Sequence, residues 1–232
     1  MISWTRPPKF FRGIYPSSYW SCWLEQNVLF SFDDGPGPNT NSLLDLSLKY
    51  GVKFAFFILP EQAYKYPEII TRIIKDGHIL GSHFLEHRHH IMDTKSVFLN
   101  SLDESVEQIE YLSHHRIEYC RVPYGSLMPW HESWIKKSKY QHVFWSLDSK
   151  DYKLEAREDI ISRVRNNFQL DDILLFHDGE TSHPKIVQIV EECLKLLNLN
   201  LKFFKSKWTI FKKYWKSQRF YSYIPSIKPK SC

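Results

Sequence analysis

The sequence predicts an α/β fold organised around a parallel β-sheet. Short apolar runs, rich in β-branched and aromatic residues, alternate with segments whose apolar positions recur every three or four residues. Such alternation is typical of consecutive βαβ units. The predicted strands are Val28–Phe32, Phe54–Ile58, Ile79–Gly81, Tyr119–Arg121, His142–Trp145, Ile173–Phe176 and Leu201–Phe204.

Local signals mark the helices between these strands. Asn39 to Asn41 offer N-caps to a helix over "SLLDLSLKY", and Gly51 follows as a stop residue able to adopt positive φ. Asp93 is predicted to cap a long helix. The apolar positions of that helix are Phe98, Leu102, Val106, Ile109 and Leu112. The same spacing predicts two later helices, through Ile160, Val164 and Phe168 and through Ile186, Val190, Cys193 and Leu197.

Composition indicates one globular domain with a sizeable core. The chain has 232 residues, of which 43% are hydrophobic and 16% aromatic, and no Gly/Ser- or Pro-rich linker divides it. Its apolar runs are far shorter than the roughly 18 residues of a membrane span, and the N-terminal prolines and Arg12 interrupt any signal-like core. The four cysteines form no CxxC pair, which predicts buried or incidental thiols.

Charge is distributed unevenly along the chain. From Lys195 onward there are ten Lys or Arg and no acid, which leaves 21 bases against 26 acids in the preceding part. Trp208, Trp215 and Phe220 lie among the bases of this tail. The pattern fits an interfacial amphipathic segment or a nucleic-acid-contacting arm, but a last strand and helix covering the core with a solvated lysine face is the favoured interpretation.

Unusual polar residues follow the predicted strands. They are Asp33 and Asp34, His83, Arg121, Asp148 and Asp151, and His177 with Asp178. The carboxyl ends of parallel strands form one face of the fold, and active sites of α/β proteins lie there. We therefore expect these side chains to converge.

The acidic pair and two histidines suggest a metal site. His83 and His87 are four residues apart, so both imidazoles can face one point, and an Asp would complete a three-residue site with open positions. If Asp34 joins them, Asp33 is left beside a metal-bound water as a general base. The alternatives are a histidine-rich exposed loop and a simple Asp-Asp-Gly-Pro turn.

Three further stretches could complete a hydrolytic site. In "CRVPYGSL" the turn could present the Tyr124 N–H to an oxyanion, and Arg121 could hold a carboxylate. "FWSLDSKDY" supplies Asp148 and Asp151, and "DILLFHDGE" ends a strand on His177, which an aspartate could keep protonated. Each stretch is also compatible with an ordinary turn or a surface ion pair.

Together these stretches resemble a known family. "SFDDGP", "GHILGSHFLEH", "RVPYG", "DSKDY" and "ILLFHD", in this order, are similar to the five motifs of the NodB-type polysaccharide deacetylases, carbohydrate esterase family 4. The resemblance implies a distorted (β/α) barrel with about seven parallel strands. It also implies an N-terminal extension over residues 1–26 packing on the barrel, a deacetylase domain over 27–204 and a basic, aromatic-rich segment over 205–232.

The resemblance also implies a metal site and a base. Asp34, His83 and His87 would hold one divalent metal, by expectation zinc, with Co, Mn or Ni as alternatives. Asp33 would be the general base that activates a water, and Arg121 would orient it.

The remaining roles implied by the resemblance concern the substrate. The Tyr124 N–H would stabilise an oxyanion, and His177 would protonate the leaving amine with its pKa tuned by Asp151. Leu174 would wall the pocket for the acetyl methyl group, and Tyr152 would floor a sugar-binding groove. Three residues depart from the family pattern: Phe84 replaces a Ser or Thr, Arg88 replaces a Pro, and Tyr152 replaces a Trp.

The predicted function is metal-dependent hydrolysis of N-acetyl or related N-acyl groups on amino sugars of a polysaccharide, peptidoglycan or glycolipid. Two alternatives are a catalytically silent carbohydrate-binding relative and a membrane-surface module that uses the basic tail. The expected partner is an N-acetylated glycan or glycolipid, with peripheral membrane contact through the tail. We expect a monomer that binds no nucleic acid. A cytoplasmic and an envelope-associated location both fit the sequence.

Overall fold

The protein contains a seven-stranded, all-parallel sheet in the order β5-β4-β3-β2-β1-β7-β6. The computed structural model describes residues 4–22, 24 and 28–197. The chain divides into two compact units, residues 1–193 and 194–232, and the first contains the whole sheet. The strands are β1 Val28–Gly35, β2 Phe54–Ile58, β3 Ile79–Ser82, β4 Tyr119–Cys120, β5 Gln141–His142, β6 Leu147–Asp148 and β7 Asp172–His177.

Helices connect the strands. They are α1 Phe10–Ile14, α2 Thr40–Tyr50, α3 Pro60–Lys65, α4 Pro67–Lys75, α5 Lys95–Ser113, α6 Pro129–Lys136, α7 Arg157–Asn167 and α8, residues 186–197. Short 3-10 turns lie at Pro123–Gly125 and Asp151–Lys153. The parallel strands with helical crossovers confirm the predicted fold class, a distorted (β/α) barrel.

Both faces of the central strands are buried, because successive side chains of a strand point to opposite faces. One face carries stacked or tilted phenylalanine rings, with centroids 5.3–5.9 Å apart between neighbouring strands. These are Phe30, Phe32, Phe54, Phe56 and Phe176. The other face carries a second cluster formed by Leu29, Ala55, Phe57, Val143 and Ile173. The side chains of the candidate site described below point to this second face.

The N-terminal segment contacts both edges of the sheet. Tyr19 forms a parallel bridge with Val143, directly after β5. At the other edge, the Asp148 N–H of β6 donates to the Thr5 carbonyl at 2.8 Å. Residues 4–22 therefore contact the sheet at β5 and at β6, the two strands that end it.

Most predicted strands are confirmed, with small shifts in their ends. The predicted strand His142–Trp145 is wrong as drawn: β5 ends at His142, and a separate strand, β6, begins at Leu147. β5 and β6 have two residues each, and such short segments carry too little periodicity for a pattern to separate one strand from the next. The predicted strand Leu201–Phe204 and the basic tail lie outside the described residues.

The predicted end of α2 is confirmed, whereas the predicted cap of α5 is wrong. Gly51 ends α2 in the left-handed conformation, with φ 66°, as predicted. Asn39 precedes α2 without a side-chain capping bond. Asp93 does not cap α5, because Thr94 holds that position and its side chain accepts from the Val97 N–H. Within the described part of the chain, no helix has the length and apolar character needed to cross a membrane.

Candidate active site

The first strand ends in a distortion that places two carboxylates on one side. In a regular strand Asp33 and Asp34 would point to opposite faces. The register between β1 and β2 shifts between Asp33 and Gly35, and Asp34 adopts φ 70°. This is the geometry of a β-bulge, which redirects a side chain. As a result His83 Nε2 lies 3.4 Å from Asp34 Oδ1 and 3.9 Å from Asp33 Oδ2.

Asp34, His83 and His87 form a compact group of donor atoms, all within 4.8 Å of one another. His87 Nε2 is 3.2 Å from Asp34 Oδ1, a buried oxygen with no hydrogen-bond partner. His83 Nδ1 is 2.9 Å from the Arg121 carbonyl and donates a hydrogen bond to it. The lone pair of Nε2 is therefore available to a metal ion. Burial lowers the pKa of His83 to about 3, which keeps the imidazole neutral. An orphaned carboxylate oxygen beside two imidazole nitrogens fits a divalent transition metal.

The two histidines lie in a loop rather than on a helix. Within the described residues, the group able to hold a metal comprises Asp34, His83 and His87, and the neighbouring histidines do not join it. The His89 ring stacks on Tyr124, with centroids 4.2 Å apart. The structure thus separates the candidate ligands His83 and His87 from the other histidines of the same stretch.

A buried ion pair holds Asp33. Arg121 has no exposed surface, and its Nη1 donates to Asp33 Oδ1 at 2.8 Å and to Ser31 Oγ at 2.9 Å. Its Nε and Nη2 donate to the carbonyls of Val143 and Phe144. Burial raises the pKa of Asp33, and the charge of Arg121 opposes that rise. The guanidinium therefore fixes one carboxylate oxygen and leaves Oδ2 facing the histidines.

His177 is the register partner of Asp33 on the neighbouring strand β7, and it is held by Asp151. Asp151 Oδ1 accepts from His177 Nδ1 at 2.9 Å, and Oδ2 accepts from the His177 backbone N–H at 2.9 Å. Burial lowers the pKa of His177, but the Asp151 carboxylate, with Asp34 and Asp33, raises it to about 10. A histidine in this setting stays protonated at neutral pH.

Two exposed tyrosines flank these groups. Tyr124 adopts φ 59°, and its ring lies 4.4 Å from that of His87. Tyr152 meets His177 edge-on, with centroids 5.4 Å apart. Both rings are about half exposed, at 46% and 44%. Solvent-accessible aromatic rings therefore lie next to His87 and next to His177.

Leu174 is not placed as predicted. It pairs with Phe30 and is fully buried. Because side chains alternate along a strand, Leu174 points away from the face that carries His177, whereas Leu175 shares that face. The alternation could have shown this from the sequence, since Leu175 is two residues before His177.

Sequence reasoning assigned no role to Asp178, which is fully buried next to the site. Its N–H donates to the Asp33 carbonyl, and its Oδ2 accepts from Thr40 Oγ1 at 2.6 Å. Burial raises the pKa of Asp178 to about 7. A Cβ on Gly37 would lie 2.3 Å from the Asp178 carbonyl oxygen, so only glycine permits this contact.

The fold and this cluster define a (β/α)-barrel protein with its candidate site at the carboxyl ends of the strands. Within that class, the chain belongs to the polysaccharide deacetylase family, whose model matches residues 23–143.

Named relatives and solved structures agree with this assignment. A peptidoglycan-N-acetylglucosamine deacetylase of Bacillus cereus is 28% identical over 182 residues, covering 78% of this chain and 66% of that protein. Chitin deacetylase 1 of Saccharomyces cerevisiae is 31% identical over 182 residues, covering 71% and 56%. A crystal structure of a peptidoglycan N-acetylglucosamine deacetylase, 26% identical, superposes with a TM-score of 0.74 over 86% of this chain and 92% of that one. This chain spans two thirds or less of the length of these two curated relatives.

Proposed function

We propose that this protein is a metal-dependent hydrolase that removes N-acetyl or related N-acyl groups from amino sugars of a polysaccharide, peptidoglycan or glycolipid. One observation carries the proposal: the Asp34–His83–His87 group lies beside the Asp33–Arg121 pair, and the Asp151–His177 pair lies on the neighbouring strand, with His177 opposite Asp33. Amide hydrolysis needs an activated water, stabilisation of an oxyanion and a proton for the amine. The relatives named as deacetylases support the choice of bond.

In this proposal Asp34, His83 and His87 hold the metal, and Asp33 is the base. A divalent ion at this site would lower the pKa of a water and polarise the amide carbonyl. Asp33 Oδ2 takes the proton of the attacking water. Arg121 keeps Asp33 oriented through Oδ1, so the base has a single direction in which to accept a proton. The raised pKa of Asp33 makes it a better proton acceptor than an exposed aspartate.

His177 and Tyr124 complete the chemistry. Because His177 Nδ1 is engaged by Asp151, Nε2 is the atom that donates a proton to the leaving amine. The Tyr124 N–H donates to the developing oxyanion. Tyr152 lies against His177 and provides a surface on which a sugar ring can stack.

The ion expected is zinc. Co, Mn and Ni are alternatives, because an Asp-His-His donor set accepts all four ions. Elemental analysis after purification, followed by titration of the metal-free protein with each ion, identifies it. The order of measured affinities alone does not decide the ion used in the cell.

The decisive test separates metal binding from turnover. Acetate release is measured with N-acetylated chito-oligosaccharides and with peptidoglycan. Asp34→Ala is expected to lose both metal and turnover, whereas Asp33→Asn keeps the metal and loses at least a hundredfold in kcat, as removal of a general base does. Undiminished acetate release by Asp33→Asn would show that another group is the base. Metal binding without acetate release from any acylated amino sugar would favour a catalytically silent relative.

A further inference from the structure

The loop that carries His87 is anchored at both ends. It has Phe84 where the resembled family usually has a Ser or Thr, and Arg88 where that family usually has a Pro. Phe84 adopts φ 66° and has no exposed surface. Its ring packs edge-on against Phe98 of α5, with centroids 5.1 Å apart. Its N–H donates to Ser82 Oγ at 3.0 Å. The start of the loop is therefore anchored in the core by an aromatic ring.

The end of the loop is fixed by charge. Arg88 Nη1 and Nη2 donate to Asp93 Oδ1 and Oδ2 at 2.8 and 2.9 Å, which is a bidentate pair. His90, fully buried, donates from Nδ1 to Asp93 Oδ2 at 2.8 Å. Asp93 thus ties together two residues that follow His87 within three positions. The side chain of Asp93 is only 10% exposed, so solvent screens this pair less than a surface pair.

The same loop is tied to the turn that carries Tyr124. The His90 N–H donates to Ser126 Oγ at 3.4 Å, and the Ser126 hydroxyl donates to the Pro123 carbonyl at 2.8 Å. The Tyr124 ring contacts both His87 and His89. Displacement of the loop would therefore move the proposed oxyanion donor together with the proposed metal ligand.

We propose that Arg88, Asp93 and His90 act as a brace that positions His87 for metal binding. This inference rests on the proposed function, because it concerns the same metal site. None of the three touches the metal ligands' donor atoms, so they are positioning residues. The bidentate pair limits the motion of the residue after His87, and a ligand that is already oriented loses less conformational entropy when the metal binds.

The test compares two aspartates that each hold an arginine with two bonds. Asp93→Asn removes the charge of the brace. Asp172→Asn is the matched control, since Asp172 accepts from Arg6 at 2.9 and 2.7 Å at the start of β7, away from the site. Zinc affinity of the metal-free, full-length protein is measured by competition with a chromophoric chelator. The Kd is expected to rise about tenfold in Asp93→Asn and less than twofold in Asp172→Asn.

A second variant and a second readout protect the test against misfolding. Arg88→Gln breaks the same ion pair, and the Arg88 side chain is 38% exposed, so this variant is expected to fold. It should raise the zinc Kd to a similar extent. Cobalt-loaded protein should show an altered visible absorption band in both brace variants, because that band reports ligand geometry. A wild-type Kd and cobalt band in folded Arg88→Gln would overturn the brace alone. Failure of the unmodified protein to bind any of the four metals would overturn the brace and the proposed function together, whereas metal binding without acetate release would overturn only the latter.

Discussion

The Asp151–His177 pair gives a prediction about pH. Asp151→Asn keeps the shape of the side chain but removes the charge 2.9 Å from His177 Nδ1. In the proposed mechanism His177 acts while protonated, so the rate falls as pH rises through its pKa. Asp151 raises that pKa, hence its loss must move the alkaline fall in rate to lower pH.

The magnitude follows from the geometry. Two unit charges about 3 Å apart interact by about 5 kcal/mol at an effective dielectric constant near 20. At about 1.4 kcal/mol per pH unit this corresponds to roughly four units. The structure raises the pKa of His177 from 6.5 to about 10. Asp34 and Asp33 contribute to that rise, and a bound cation would offset their share, so we expect Asp151→Asn to lower the pKa by at least about two units.

The assay is acetate release from a chito-oligosaccharide between pH 6 and 11, plotted as kcat/KM. The matched control is Asp148→Asn, because Asp148 lies in the same segment but binds the Lys150 N–H instead of the His177 ring. Its alkaline limb should move by less than one unit. An alkaline limb in Asp151→Asn that coincides with that of the unmodified enzyme would refute both the role of His177 as acid and the electrostatic reasoning.

Four further variants test the packing around the site. Arg121→Ala leaves Asp33 buried without its partner and should cost about 3–5 kcal/mol in urea unfolding, and a loss below 1 kcal/mol would contradict the buried ion pair. Leu174→Ala and Leu175→Ala should each destabilise the fold by about 2–5 kcal/mol, because each removes buried methyl groups. Only Leu175→Ala should also change KM, since Leu175 shares the face that carries His177. A KM effect confined to Leu174→Ala would contradict this placement. Phe84→Ser restores the residue type usual in the family, yet it should cost about 3–5 kcal/mol because the ring fills the core, and an unchanged melting temperature would contradict this.

Much of the fold follows directly from the sequence. The long apolar strands β1, β2 and β7 are continuous hydrophobic runs, and runs of this kind predict strands buried on both faces. The two-residue strands β5 and β6 cannot be predicted in this way, because their pairing depends on neighbouring strands rather than on their own periodicity. The contacts of residues 4–22 with both edges of the sheet are likewise set by the tertiary structure.

The residue types of the candidate site can be read from the sequence, because five short motifs contain its carboxylates, histidines and arginine. Their relative placement follows from the folded chain. The bulge at Asp34 turns two neighbouring carboxylates, which a regular strand would point apart, toward the same histidines. Similarly, Asp93 reads as a helix cap in sequence but binds Arg88 and His90, since a carboxylate takes the partner that the folded loop brings nearest. Local pattern gives side-chain direction within a regular strand, whereas direction at a bulge or in a loop depends on backbone distortions and long-range contacts that no local pattern encodes.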